Sequence, residues 1–164
     1  MIKDTVVFDL DGTLACGKHR LHLLPAYEDR GNPRAWDVFN LACADDALIE
    51  DNLHLMEILY RSHLRIVILT GRCDVARSLT EKWLEQPGLR YDQLIMRPAD
   101  DHRRDVEFKE EALRKIGLGR ILCCFDDLEH VCKHIRSLGV TCHQVVHYDE
   151  PYLHTSDHRE PQKH

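Results

Sequence analysis

The sequence predicts an α/β fold: an open parallel sheet of about five strands in the order 3-2-1-4-5, with helices on both faces and a small lid after the first strand. Two observations predict it. Five short runs rich in β-branched residues are continuously apolar rather than alternating, as strands covered on both faces must be. Between the later runs lie segments with apolar residues at helical spacing, so strand and helix alternate and the crossovers should be right-handed.

The first strand is expected over 5–10. The connection from Gly12 to about Asp46, with Pro25, Gly31 and Pro33, is too long for a structureless link in a compact domain and reads as a lid insert over about 15–46. Leu53, Met56, Leu59 and Tyr60 mark a helix over 52–62, followed by the second strand at 65–70. Val75, Leu79 and Trp83 mark a helix over 74–85, then the third strand at 93–96. Phe108, Ala112 and Ile116 mark one over 107–116, then the fourth strand at 121–125. A last helix carries Leu128, Val131, Ile135 and Leu138 and ends at Gly139, before a fifth strand at 141–146. Residues 1–148 thus read as one domain and 149–164 as a polar, flexible tail that frays from Pro151.

The 164 residues are 43% apolar and 30% charged, and a chain this long buries roughly 70% of its surface on folding. The net charge of -6 argues against coating nucleic acid by bulk electrostatics and leaves room for local contact with a strand end. Seven cysteines is an odd number, Cys123 and Cys124 are adjacent in an apolar run, and no secretory segment precedes Asp4, so reduced thiols in a cytoplasm are expected. No apolar run approaches the ~20 residues of a membrane span.

The stretch "VVFDLDGTLACGKH", residues 6–19, admits two readings. From Gly12 it nearly spells a phosphate-cradling loop, Gly-x-x-x-x-Gly-Lys, ending at Lys18; but the metal-binding hydroxyl is replaced by His19, and Asp9 and Asp11 would oppose a polyphosphate. In the other reading Asp9 and Asp11, two apart at a strand end, project together beyond the sheet. Paired carboxylates repel unless they share a proton or a cation, and a hard divalent ion such as Mg²⁺ answers that.

Three other sites supply what the first lacks. "LTGR" offers the Thr70 hydroxyl and a flexible N–H at Gly71; Lys109 stands near a helix start, where an anion explains a lysine better than the dipole does; "FDD" brings Asp126 and Asp127 to the end of the neighbouring fourth strand. Carboxylates converging from two strands call for a cation. Gly12, Gly71, Arg72 and Arg97 are the candidate substrate-binding residues, since arginine forks suit phosphate and nucleobase contacts; Arg103 and Arg104 read equally as a solvated loop.

These motifs, in this order and covering residues 5 to about 147, resemble the haloacid dehalogenase superfamily, whose core is a Rossmann-like sheet. The resemblance implies Asp9 as nucleophile and Asp11 as general acid and base; the Asp-x-Asp pairing is similar to the family's phosphatases and phosphotransferases and argues against dehalogenation. It implies Mg²⁺ held by the Asp9 carboxylate, the Asp11 backbone carbonyl and Asp126, with Asp127 in support. Thr70 and Lys109 would hold the phosphoryl oxygens. Stretches such as "MRPADDHRRDVEFKEEAL" resemble more narrowly the 3′-phosphatase domain of phage-type polynucleotide kinase, implying a cytoplasmic, phage-encoded phosphatase of polynucleotide 3′ ends. No kinase domain fits in the chain, so a separate kinase or ligase is the implied partner.

Two functional alternatives stay open: a phosphatase of nucleotides or small phosphometabolites, and a catalytically silent binding module. Two lesser patterns are weighed as well. His130 and His134 flank Cys132 on one helix without a matching ligand pair for zinc, and Trp36 and Phe39 either stack on a base or seal the lid onto the body.

Overall fold

The structure, a computed structural model, describes residues 2–86 and 89–155. Its strands are β1 (Thr5–Phe8), β2 (Ala15–Cys16), β3 (Ala47–Leu48), β4 (Arg65–Cys73), β5 (Gln93–Arg97), β6 (Ile121–Asp126) and β7 (Cys142–Gln144). The α-helices are α1 (Asp37–Leu41), α2 (Glu50–Arg61), α3 (Arg77–Leu84), α4 (Asp105–Ile116) and α5 (Glu129–Ser137). Five strands form one parallel sheet in the order β5-β4-β1-β6-β7, the order expected for an open α/β sheet with the first strand central.

Alternate residues of the central strands feed two separate cores because successive side chains point to opposite faces. Val7, Val67, Leu69, Ile121 and Cys124 pack against Phe108 and Leu113 of α4 and Val131 and Ile135 of α5. Val6, Phe8, Ile66 and Ile68 pack against Leu53 and Met56 of α2 and Trp83 and Leu84 of α3. Both faces of the sheet are therefore covered, which is why its strands read as unbroken apolar runs.

Several expected boundaries shift. The first strand ends at Phe8, not at residue 10: the Leu10 carbonyl accepts the N–H groups of Leu14 at 2.8 Å and Ala15 at 2.9 Å, and Gly12 sits at φ 76 in the tight turn so formed. The second strand runs on to Cys73 through an irregularity that leaves Gly71 and Arg72 out of register with β5. Such bulges re-aim a side chain beside a site. The helix expected from 74 begins as a 3-10 turn, Asp74–Ala76, before α3. The fifth strand is short, Cys142–Gln144.

The excursion after β1 is bounded by the antiparallel pair β2 and β3, which sequence patterning missed because two residues carry no periodicity. Between them lie 3-10 turns and α1. Trp36 and Phe39 meet edge-on at 6.0 Å, the Trp36 indole donates to the Arg30 carbonyl, and the Phe39 ring lies 4.1 Å under the Arg20 guanidinium.

The expected tail is corrected in part. Pro151–His154 form a 3-10 turn whose Leu153 and His154 are buried. Apolar content was a poor guide here, because a polar contact described below holds the segment down. Residues 156–164 lie outside the described residues. All seven cysteines are free thiols, six of them buried, and no helix among the described residues is long and apolar enough to cross a membrane.

Candidate active site

The carboxyl ends of β1, β4 and β6 and the first turns of α4 converge on two adjoining clusters. In the first, Lys109 reaches from α4 with its Nζ 3.1 Å from Asp9 Oδ1, 2.7 Å from Asp126 Oδ2 and 3.5 Å from Asp105 Oδ2. Asp9, Asp126 and Asp127 are buried, and each offers an oxygen within 4.8 Å of the others, the group of this kind found among the described residues. Burial pushes the Asp9 and Asp127 carboxyls well above the usual carboxylate range, and neighbouring carboxylates add to it; Lys109 offsets this only in part. Burial alone would lower Lys109, but Asp105, Asp126 and Asp9 together hold it well above the ordinary lysine value, so it stays an ammonium.

Asp9, Asp126 and Asp127 thus face one ammonium, which also meets Asp105 beside Arg97. An all-oxygen set with surplus negative charge fits a hard divalent ion such as Mg²⁺. Backbone detail shapes the cluster too. A Cβ on Gly12 would come within 2.4 Å of Asp127 Oδ2, and one on Gly71 within 2.4 Å of Asp105 Oδ1, so both glycines are needed for the close approach of these carboxylates.

In the second cluster two arginines clasp two aspartates. The Asp11 carboxylate accepts from Arg20 Nη2 and from Arg72 Nη2, each at 2.6 Å, and Asp46 accepts from Arg20 Nε at 2.7 Å and Arg72 Nη2 at 3.0 Å. Arg72 also donates to Thr80 Oγ1, and the Trp83 indole to the Asp46 carbonyl. Burial would raise the Asp11 carboxyl, but Arg72 and then Arg20 outweigh it and hold it far below the usual range.

The family-level comparison agrees with this geometry. A profile of the polynucleotide kinase PNKP phosphatase domain matches residues 3–149. The chain belongs to that family. It is accordingly a phosphoric monoester hydrolase with the haloacid dehalogenase fold. Among solved structures it is similar to a chain of the Pnkp1/Rnl/Hen1 complex, at 25% identity and TM-score 0.70, over 88% of this chain and 46% of that one. The PNKP-type chain described here therefore spans less than half of that relative. Two further likenesses concern the fold alone: a protein from Clostridium difficile (12% identity, TM-score 0.64, 87% of this chain and 84% of that) and a magnesium complex of an enzyme of this superfamily from Bacteroides thetaiotaomicron (13%, 0.59, 93% and 98%). No curated protein matches.

Against this PNKP-type frame, the sequence-derived residues divide. Asp9, Lys109, Asp126 and Asp127 come together in the first cluster. The Asp11 side chain lies outside that group: the turn after Leu10 ends the two-residue alternation, and Arg20 and Arg72 answer its charge. Thr70 is buried at the end of the regular β4 ladder, its hydroxyl accepting the Arg72 N–H at 3.0 Å. Arg72, expected to bind substrate, is 3% exposed and spent on Asp11, Asp46 and Thr80. Arg97 is likewise committed, to Asp105 at 2.9 Å and to the Arg103 carbonyl. Arg103 pairs with Asp101 and Glu111, and Arg104 with Glu107 on the helix surface.

The other patterns dissolve. Lys18 lies on the surface beside Glu150, and the Gly17 N–H donates to the Tyr148 hydroxyl, so the near nucleotide loop forms no phosphate cradle. His134 pairs with Glu110 while Cys132 donates to the Asp126 carbonyl, so the two do not share a ligand site. Sequence reasoning missed Arg20, Asp46 and Asp105. Arg20 and Asp46 sit in the lid connection with no strand or helix period to flag them, whereas Asp105, one helical turn before Lys109, carried a spacing that could have been read.

Proposed function

We propose that the chain is a Mg²⁺-dependent phosphatase that removes 3′-phosphate from polynucleotide ends through an aspartyl-phosphate on Asp9. The observation that carries this is the surplus of buried carboxylates, Asp9, Asp126 and Asp127, around the single Lys109 ammonium. Asp9 must be ionised to attack, and its surroundings favour the neutral acid unless a further positive charge is supplied. The carboxylates of Asp9, Asp126 and Asp127 and the backbone carbonyl of Asp11 would hold Mg²⁺. When bound, it neutralises charge on the phosphoryl oxygens and keeps Asp9 ionised.

Asp9 attacks phosphorus, the bond to the sugar oxygen breaks, and that oxygen takes a proton from Asp11. Asp11 then takes a proton from water, whose oxygen attacks the aspartyl-phosphate, releasing inorganic phosphate and restoring Asp9. The two arginines favour the basic form of Asp11 needed in the second half. The phosphate brings the negative charge that raises the Asp11 carboxyl for the first half. Lys109 keeps Asp9 and Asp126 in place, and the Thr70 hydroxyl with the Gly71 N–H completes the grip on the phosphoryl group.

Membership of the PNKP phosphatase family and likeness to a chain of an RNA repair complex support a polynucleotide 3′ end as substrate and a separate kinase or ligase as partner. The test is a parallel assay of 3′-phosphorylated, 5′-phosphorylated and mononucleotide substrates, with and without Mg²⁺ and with Asp9→Asn as blank. Fastest turnover on the 3′-phosphorylated oligonucleotide is expected; faster turnover on mononucleotides would replace this reading by a nucleotide phosphatase.

A further inference from the structure

The chain after β7 returns as a strap to the first cluster. The Tyr148 hydroxyl accepts the Gly17 N–H at 3.3 Å at the base of the lid, and the Tyr148 N–H donates to His154 Nε2 at 3.0 Å. His154 Nδ1 lies 3.2 Å from Asp127 Oδ2, with both side chains buried. Because Nε2 accepts, the imidazole proton sits on Nδ1, and His154 donates to Asp127. The same Oδ2 is the atom that a Cβ on Gly12 would strike. Asp127 is thus confined between a glycine backbone on one side and a donor from outside the sheet on the other. His154 also lies beyond residues 3–149, the span that matches the family profile.

We propose that His154 is a positioning residue for Asp127, holding its carboxylate in the orientation in which it serves the divalent-cation site. The inference rests on the cation role proposed above for Asp9, Asp126 and Asp127. Residues behind a metal ligand fix its orientation, and their loss typically weakens metal affinity by about 10–100-fold. The strap also explains why a polar segment with one buried leucine packs at all: its histidine completes a buried hydrogen bond to a carboxylate whose crowding by like charges Lys109 offsets only in part.

The experiment is a titration of the full chain with Mn²⁺ alone, free ion being read by electron paramagnetic resonance, alongside thermal melts. His154→Ala is expected to weaken binding roughly tenfold or more. His154→Asn, whose amide nitrogen falls near the former Nδ1, should recover most of the affinity, whereas His154→Gln, whose amide falls near Nε2, should not. That last pair decides the matter even where the alanine variant fails to fold. Adding His154→Gln to Asp127→Asn should weaken binding no further, since the carboxylate it positions is gone. Equal affinity of the Asn and Gln variants, or an undiminished loss in the Asp127→Asn background, would overturn the proposal and leave the cation site standing. Absence of Mn²⁺ binding in the wild type, or binding untouched by Asp126→Asn, would remove the functional reading and this proposal with it.

Discussion

Two acidic clusters lie side by side at the carboxyl edge of the sheet, and they solve the same electrostatic problem differently. Asp11 and Asp46 are matched by Arg20 and Arg72, charge for charge, through bonds of 2.6–3.0 Å. Asp9, Asp126 and Asp127 share one ammonium, Lys109, which is also drawn on by Asp105, itself paired with Arg97. The balanced cluster needs nothing more and can serve as a fixed wall that orients Asp11. The unbalanced one stores repulsion that a bound cation would relieve. Burial without a partner is the feature that separates a site from a structural ion pair.

The same chemical change should therefore have opposite consequences in the two clusters. Asp9→Asn is expected to lower the hydrolytic rate by about a thousandfold or more, as loss of a nucleophile does. At the same time it should raise the melting temperature of the metal-free protein, because it removes a carboxyl that burial disfavours. A lower melting temperature would contradict the account of that cluster. Asp46→Asn should instead destabilise by about 3–5 kcal/mol, since it strips compensation from two buried guanidiniums. Chemical denaturation measures this, and a change below about 1 kcal/mol would show that the network is not a coupled unit.

A third test uses pH. Folding raises the Asp9 and Asp127 carboxyls above the ordinary aspartate value of 3.8, so the metal-free folded state binds protons more tightly than the unfolded chain. Its stability should then fall as pH climbs from about 3.8 toward those raised values. Mg²⁺ bound as proposed would compete with those protons. The gain in melting temperature on adding Mg²⁺ should be larger at pH 7.5 than at pH 5, and a gain that shrinks with pH would break the comparison. The smallest effect is expected outside both clusters. Arg104, exposed and paired with Glu107, should leave the melting temperature unchanged when replaced by Ala. If it touches a phosphate of an oligonucleotide substrate, the slope of log(kcat/KM) against log[salt] should fall by about 1; an unchanged slope assigns it to solvent.

Much of this was legible in the linear chain. Unbroken apolar runs gave the five strands and the helical spacings gave four of the helices, because burial on both faces and on one stripe leaves those periods in the residues themselves. Asp9, Lys109, Asp126 and Asp127 could be placed together because an α/β sheet collects the ends of its strands at one edge.

Other features had no periodic trace. Arg72 had the right motif and the wrong destination: only the bulge at the end of β4 and the arrival of Asp46 from the lid turned it into a partner for Asp11. Arg20 and His154 come from a lid and a terminal strap whose composition is polar, and their burial depends on long-range contacts to Asp11 and Asp127. What the sequence by itself determined was the sheet, its order and the residues at its edge. What only the tertiary structure decided was how charge is divided among them, since compensation depends on distances of a few ångströms between segments far apart in the chain, and local pattern carries no record of those distances.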